Sequence, residues 1–250
     1  MVLTTKIIPH IYPSVVLDKG LNNYKRRDVN MIRNLPKIMG FGRILSDIEF
    51  FYSLIVIAIC LFIYFKTKEM YDLTGHKGIR FFRQTFLWLS IAYIVRFLIL
   101  FNKITFNVMQ KGSMHIALFL FVFASTMSLL YLAYSVVIKK WNFNEDFVFS
   151  LSAMVISLIS VTGKNIDVFL LSQLLLFVFA VVFGFAKRHK LKGTYVVYIL
   201  LFLFWLFGHA ALKLPMFLFN IKVGLYLISV ALFLLILHLV LKRLKNGKKR

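Results

Sequence analysis

The sequence is poor in the residues from which most membrane-enzyme sites are built. It contains one cysteine and nine acidic residues among 250, and no pair of carboxylates lies deep inside an apolar run. We therefore expect no metal site, because a magnesium site needs several carboxylate ligands. The patterns GxSxG, HExxH and DDxxD and a glycine-rich phosphate loop are also missing. These absences remove the common catalytic motifs, and we expect a protein that is not an enzyme.

The single cysteine, Cys60, cannot form a disulfide within the chain. It lies in an apolar run, where we expect it to be buried as a small hydrophobic side chain. Cysteine use therefore gives no information about the redox compartment.

The first 46 residues contain no long apolar run, so a cleavable signal peptide is not expected there.

Apolar residues dominate the chain instead. Hydrophobic residues make up 60% of it and aromatic residues 17%, with a mean hydropathy of +0.82. No soluble domain could bury so much apolar surface in one core, so the composition indicates a polytopic membrane protein. The net charge of +22 comes from basic residues between the apolar runs and at the two ends. That placement favours anionic lipid headgroups as the partner, and we expect no nucleic-acid partner.

Seven apolar stretches are long enough, or nearly so, to cross a bilayer, which takes about 20 helical residues. They are Asp47–Phe65, Thr85–Phe101, His115–Ile138, Phe147–Thr162, Asp167–Ala186, Thr194–Lys213 and Val223–Leu241, and the fourth is the shortest and is rich in serine. We therefore predict an all-α bundle of seven transmembrane helices over residues 47–241. A basic N-terminal tail, residues 1–46, precedes it, and a basic cytoplasmic tail, residues 242–250, follows it.

The distribution of lysine and arginine predicts the orientation. Seventeen basic residues lie in the loops after spans one, three and five and in the final tail, against five in the opposite loops. The C-terminus is therefore predicted to be cytoplasmic and the start of span one to lie outside, in a multi-pass protein of the cell membrane. Eight basic residues in the N-terminal tail oppose this orientation. The tail could cross despite its charge, lie on the membrane surface, or be absent if translation starts at Met31 or Met39.

Arg96 lies inside the apolar run of span two, five residues before Phe101 and in the predicted outer half of the membrane. A charged side chain at the centre of a bilayer costs about 2.5–3.5 kcal/mol, so it usually faces a cavity or a partner. We predict that Arg96 points into the bundle and pairs with Glu49, or failing that with Asp47, because consecutive helices usually pack as neighbours. The alternative is that Arg96 extends along the helix to the outer headgroups.

Other polar side chains are predicted to lie at the same depth as Arg96. Together with Arg96 they indicate a binding site for a small anionic ligand. In this site Arg96 supplies the positive charge, His115, Gln173 and His209 donate or accept hydrogen bonds, and Tyr198 and Trp205 form the walls. We expect a sensor or binding module that takes its ligand from the outer side. One alternative is a small-molecule transporter that uses the same cavity. Another is a redox protein with a b-type haem held by His115 and His209.

Arg80 and Arg83 lie three residues apart at the predicted cytoplasmic edge of span two. They would either anchor this edge in the headgroups or form a docking face for a signalling partner. The segment KTKEMYDLTGHKGIRFFRQTFLWLSIAYIVRF, residues 66–97, and the layout of residues 47–241 resemble the seven-helix sensor modules that precede bacterial and archaeal histidine kinases. They also resemble uncharacterised archaeal seven-helix membrane proteins. This resemblance implies a sensor whose signal is passed on by a separate partner.

Overall fold

The computed structural model describes residues 46–69, 71–72, 75, 77–106, 111–137, 144–163, 166–186, 195–215 and 218–247. Regular structure in these ranges is helical throughout, so the all-α prediction is confirmed. Residues 1–45 lie outside the described residues, and the expectations about the N-terminal tail therefore stay predictions. The predicted C-terminal tail is described as far as residue 247 and continues the last helix.

The described part of the chain contains seven helices, and each predicted span lies inside one of them or extends at most one residue past its described end. The helices are α1 (Ser46–Glu69), α2 (Lys77–Phe106), α3 (Lys111–Val137), α4 (Glu145–Thr162), α5 (Ile166–Ala186), α6 (Tyr195–Lys213) and α7 (Phe219–Gly247). Several helices extend past the apolar residues at one or both ends. The backbone hydrogen bonds of a helix can continue into water beyond the last apolar residue. Spans predicted from the apolar pattern are therefore shorter than the helices.

Five helices, α1, α2, α3, α4 and α7, are long and apolar enough to cross a membrane by length and composition. Over the described residues, α5 and α6 supply shorter apolar stretches, Phe169–Phe183 and Tyr195–Ala211. The protein is therefore a helical membrane protein. In the serine-rich α4, Ser152, Ser157 and Ser160 each donate a hydrogen bond to a carbonyl of their own helix, at 2.7–2.8 Å. These hydroxyls need no partner from outside the helix.

The connection between α1 and α2 includes a glycine in the left-handed region of the Ramachandran plot. Gly75 has a φ of 63°, and its amide donates a 2.8 Å hydrogen bond to the carbonyl of Tyr71. A side chain would be strained at this angle, so glycine suits the position at which the chain leaves one helix before entering the next.

The contacts between helices place α1 and α7, the first and last helices, next to each other. Helix α2 packs on α3, α3 packs on α4 and α5, and α5 packs on α6, which packs on α7. Helix α1 contacts α2 through Tyr52 and Tyr93, and it contacts α7 through Tyr52 and Tyr226. Of the five long apolar helices, α3 has the largest buried share. The space between α2, α3, α5 and α6 is therefore the interior of the bundle.

Candidate functional site

A cavity of about 40 Å³ lies in this interior. A water molecule needs about 10–15 Å³ of such volume, so the cavity has room for about three waters or a molecule of similar size. Its polar lining comes from three helices: Thr85, Tyr93 and Arg96 of α2, Ser125 and Ser128 of α3, and Trp205 and His209 of α6. Its remaining walls are mainly apolar and aromatic, including Leu89, Phe121, Phe177 and Phe204. Apolar walls with a few polar groups are typical of a site for a small molecule.

Arg96 lines this cavity and also reaches the first turn of α1. Its Nη2 atom lies 4.0 Å from Oε2 of Glu49, and the two side chains are only 11% and 13% exposed. Asp47 is half-buried two residues earlier on α1, and it is not among the described partners of Arg96. The interior position of Arg96 therefore places the guanidinium beside the acid that the sequence analysis ranked first.

A second cation contacts the same carboxylate. Nζ of Lys222, from the first turn of α7, lies 3.5 Å from Oε1 of Glu49, and the lysine side chain is 8% exposed. Glu49, Arg96 and Lys222 form what we call the charged cluster. Ionised, the cluster has two positive charges and one negative charge, and no other ion pair to these three residues occurs within the described ranges. One positive charge is therefore left without a described counterion in the interior.

Tyrosine side chains surround the charged cluster. The Tyr226 hydroxyl donates a 2.8 Å hydrogen bond to Oε1 of Glu49 and accepts one of 3.5 Å from Nη2 of Arg96. The guanidinium carbon of Arg96 lies 5.6 Å from the ring centre of Tyr52 and 5.7 Å from that of Tyr93. Aromatic rings at this distance stabilise a cation without neutralising it. The rings hold Arg96 in place and leave its net charge unchanged.

A buried amide joins three helices next to the cavity. Gln173 of α5 donates from Nε2 to the Ser125 hydroxyl of α3 and accepts at Oε1 from the Trp205 indole of α6. Gln173 is completely buried but is not part of the cavity wall, whereas Ser125 and Trp205 are. Gln173 therefore holds two side chains of the cavity wall, those of Ser125 and Trp205, in position.

His209 lies on the cavity wall one turn after Trp205. The two rings are 4.5 Å apart between centres, and Nδ1 of His209 is 2.9 Å from the carbonyl oxygen of Trp205. A carbonyl oxygen can only accept, so Nδ1 carries the hydrogen of this bond. The orientation of the imidazole is thereby fixed by its own helix.

The comparisons with known proteins give a family but no function. No family model matches the sequence. An uncharacterized protein of the archaeon Archaeoglobus fulgidus is 33% identical over 212 residues, and the match covers 78% of this chain and 92% of the relative. The chain belongs to the family of this archaeal protein.

Two of the predicted ligand-binding residues lie away from the cavity. His115 is exposed near the start of α3, and Phe121, two turns further on, is the lining residue of α3 nearest to that end. Tyr198 is buried and shares a 2.9 Å hydrogen bond with the Ser135 hydroxyl. Tyr198 is on the helix face that also carries His209, but eleven residues separate them, or about 16 Å along the axis. His115 is not on the wall of the cavity that His209 lines, and the haem alternative stays a prediction.

The predicted docking arginines at the other end of α2 have partners within the bundle. Nη2 of Arg80 lies 3.4 Å from Oδ2 of Asp146, and the arginine side chain is 45% exposed. Asp146 also accepts a 2.7 Å hydrogen bond from the Tyr131 hydroxyl. The guanidinium of Arg83 lies 5.1 Å and 5.5 Å from the ring centres of Tyr64 and Tyr71. Of the two, Arg80 is the more exposed to a partner.

Lys222 and the tyrosines of the charged cluster were not predicted from the sequence. Span seven was predicted to begin at Val223, which left Lys222 in a loop, whereas α7 begins at Phe219. A usable signal was present, because Lys222 and Tyr226 are four residues apart and so lie on one helix face. A basic residue just before an apolar run usually indicates a contact with lipid headgroups. The packing of α1 against α7 is what places Lys222 in the interior.

Proposed function

We propose that the chain is a membrane-embedded binding module for a small anionic ligand, held in the cavity at Arg96. The observation that carries this proposal is the excess of one positive charge in the charged cluster, where Arg96 and Lys222 share the carboxylate of Glu49. A buried charge without a counterion is strongly destabilising. An anion in the cavity beside Arg96 would neutralise the cluster.

The hydrogen bonds of Arg96 support the same proposal. A guanidinium has five N–H donors, and the described hydrogen-bond partners of Arg96 are the hydroxyls of Tyr226 and Tyr93. Donors therefore remain on a side chain that lines the cavity. A carboxylate or a similar oxyanion would accept from them and form charge-assisted hydrogen bonds, which are the stronger kind.

The membrane arrangement that goes with this proposal has seven spans, with the charged cluster near the outer surface of the cell membrane. Glu49 and Lys222 lie in the first turns of their helices, and His209 lies near the end of α6. Arg96, in the second half of α2, contacts Glu49, so all four are toward one end of the bundle. The count of basic residues in the loops supports placing this end outside. A partner at the opposite end, near Arg80, would receive the signal.

The test measures anion binding to the full-length chain in detergent by calorimetry and by thermal unfolding. The probes are chloride, formate, acetate, propionate and inorganic phosphate, with toluenesulfonate, a bulky anion without a hydroxyl, keeping the ionic strength constant. At least one probe should bind in the millimolar range or tighter and raise the unfolding temperature, as a ligand specific for the folded state must. Arg96→Gln should abolish the effect, because it removes the charge that lines the cavity.

Arg80→Gln is the matched control, because it removes a charge from the same helix at an exposed pair with Asp146. It should leave anion binding unchanged. The proposal fails if no probe binds, or if Arg96→Gln binds each probe as tightly as the parent chain. Uptake of a bound anion into vesicles containing the protein would change the assignment from a binding module to a transporter.

A further inference from the structure

The imidazole of His209 presents an unused hydrogen-bonding atom to the interior. Its Nδ1 hydrogen is directed to the Trp205 carbonyl, so in the neutral ring Nε2 is an acceptor. Nε2 is buried and has no hydrogen-bond partner within the residues that the structure describes. A buried acceptor without a donor is unfavourable, and such atoms are rare in folded proteins.

His209 and Arg96 line the same cavity from α6 and α2. The charged cluster already has an excess of positive charge, so a third cation on His209 would add to the repulsion there. The neutral ring is the form that suits this surrounding. The residues of one cavity wall therefore include a cation that needs an anion and an imidazole whose buried acceptor needs a donor.

We infer that the ligand is a small hydroxycarboxylate, with its carboxylate on Arg96 and its hydroxyl donating to Nε2 of His209. This inference rests on the proposed anion-binding function. An amino acid would also offer a donor, but its ammonium group would add positive charge beside Arg96 and Lys222. The hydroxyl supplies the donor without that repulsion.

The size of the cavity limits the ligand to a short chain. Room for about three waters, at about 30 Å³ of liquid volume each, matches an acid of two or three carbon atoms. Phe204 of α6 and Leu89 of α2 provide apolar walls for a methyl or methylene group. Glycolate and lactate have the right groups and the right size.

The experiment compares acids that differ only by the hydroxyl, on the full-length chain in detergent. The pairs are glycolate with acetate and lactate with propionate, and calorimetry gives the affinity of each. One well-formed hydrogen bond corresponds to about a tenfold change in affinity. At least one hydroxy acid should therefore bind about tenfold more tightly than its partner. This comparison needs no variant, so it does not depend on whether a variant folds.

The residue responsible is tested with His209→Phe, which keeps a ring against Trp205 but removes the acceptor. The preference for the hydroxy acid over the simple acid should fall to about onefold. His115→Phe is the matched control, because His115 is exposed and lies outside the cavity wall. It should preserve both the affinity and the preference.

The outcomes separate this inference from the proposal on which it rests. Equal binding of hydroxy and simple acids that still depends on Arg96 overturns the hydroxycarboxylate and leaves the anion site standing. A preference that survives in His209→Phe shows that another group reads the hydroxyl, and this also overturns the inference. If no probe anion depends on Arg96 for binding, the anion site itself is wrong and the inference falls with it.

Discussion

Arg96 of α2 and Lys222 of α7 lie against different oxygens of one carboxylate. The arginine Nη2 is 4.0 Å from Oε2 of Glu49, and the lysine Nζ is 3.5 Å from Oε1. A single acidic side chain thus joins the first helix to two helices that are distant from each other in sequence. A change at Glu49 should therefore affect the packing of α1, α2 and α7 together.

Arg96→Ala and Glu49→Ala should each lower the unfolding temperature in detergent. Glu49→Ala leaves two buried cations unpaired, a loss of up to about 3–5 kcal/mol when the site is dry and less when water enters. Arg96→Ala leaves Glu49 paired with Lys222, so its smaller loss comes from the contacts of the guanidinium with Tyr226, Tyr52 and Tyr93. The double variant should lose less than the sum of the two, because it leaves fewer charges uncompensated. The measurement is a double-mutant cycle of thermal unfolding on the full-length chain.

The matched control is the same cycle on Lys66 and Glu69, an exposed pair at 3.3 Å on α1. Its coupling should be about 0–1 kcal/mol, as for other surface pairs. Strict additivity at Arg96 and Glu49, or an Arg96→Leu variant as stable as the parent, would mean that Arg96 interacts with headgroups and that Glu49 contributes nothing to it.

Lys222→Met should weaken anion binding by about tenfold or more while leaving the fold intact. Methionine keeps the length of the side chain, and Glu49 then neutralises Arg96 alone, so the cluster has no charge left over for an anion. Stability should change little, because the remaining pair stays matched. Calorimetry with the probe anions measures the effect. Lys242→Met, an exposed change near the other end of α7, should behave as the parent, and an unchanged affinity in Lys222→Met would contradict the role of the excess charge.

Gln173→Leu should destabilise the bundle with little effect on anion affinity. The change leaves the Trp205 indole N–H and the Ser125 hydroxyl without their amide partner, at about 1–3 kcal/mol for each group left unpaired. Thermal unfolding and calorimetry on the same preparation separate the two effects. Gln84→Leu, at a half-buried position on α2, serves as the control. An affinity that falls as steeply as in Arg96→Gln would instead make Gln173 a direct ligand contact.

Reporter fusions test the orientation on which the outer position of the site depends. Fusions after Lys192 and after Arg250 should report the cytoplasm, and a fusion at Lys164 should report the outside. The reason is the excess of lysine and arginine in the loops on the first side. A cytoplasmic signal at Lys164 would rule out the seven-span arrangement.

The helices were predictable because the apolar runs are long and few polar residues interrupt them. The neighbours of Arg96 were harder to predict, since a sequence gives the angle of a side chain around its helix better than its depth or its partner. Glu49 was named because acids are scarce, and the double-mutant cycle tests that pairing. Tyr198 was predicted in the site because it shares a helix face with His209, but it lies about 16 Å from His209 along the axis. Lys222 depended on the packing of α7 against α1, which no local pattern contains.

Helix α2 runs without a break from Lys77 to Phe106, with Arg96 in its second half and Arg80 near its start. Sixteen residues separate the two arginines, or about 24 Å of continuous helix. Such a rod transmits a push along its axis with little loss, because shortening it would break backbone hydrogen bonds. Under the proposed function, a ligand that shifted α2 by an ångström along its axis at Arg96 would therefore displace Arg80 by a similar distance. The half-exposed contact of Arg80 with Asp146, at 3.4 Å, is where that displacement would first become visible at the opposite end of the bundle.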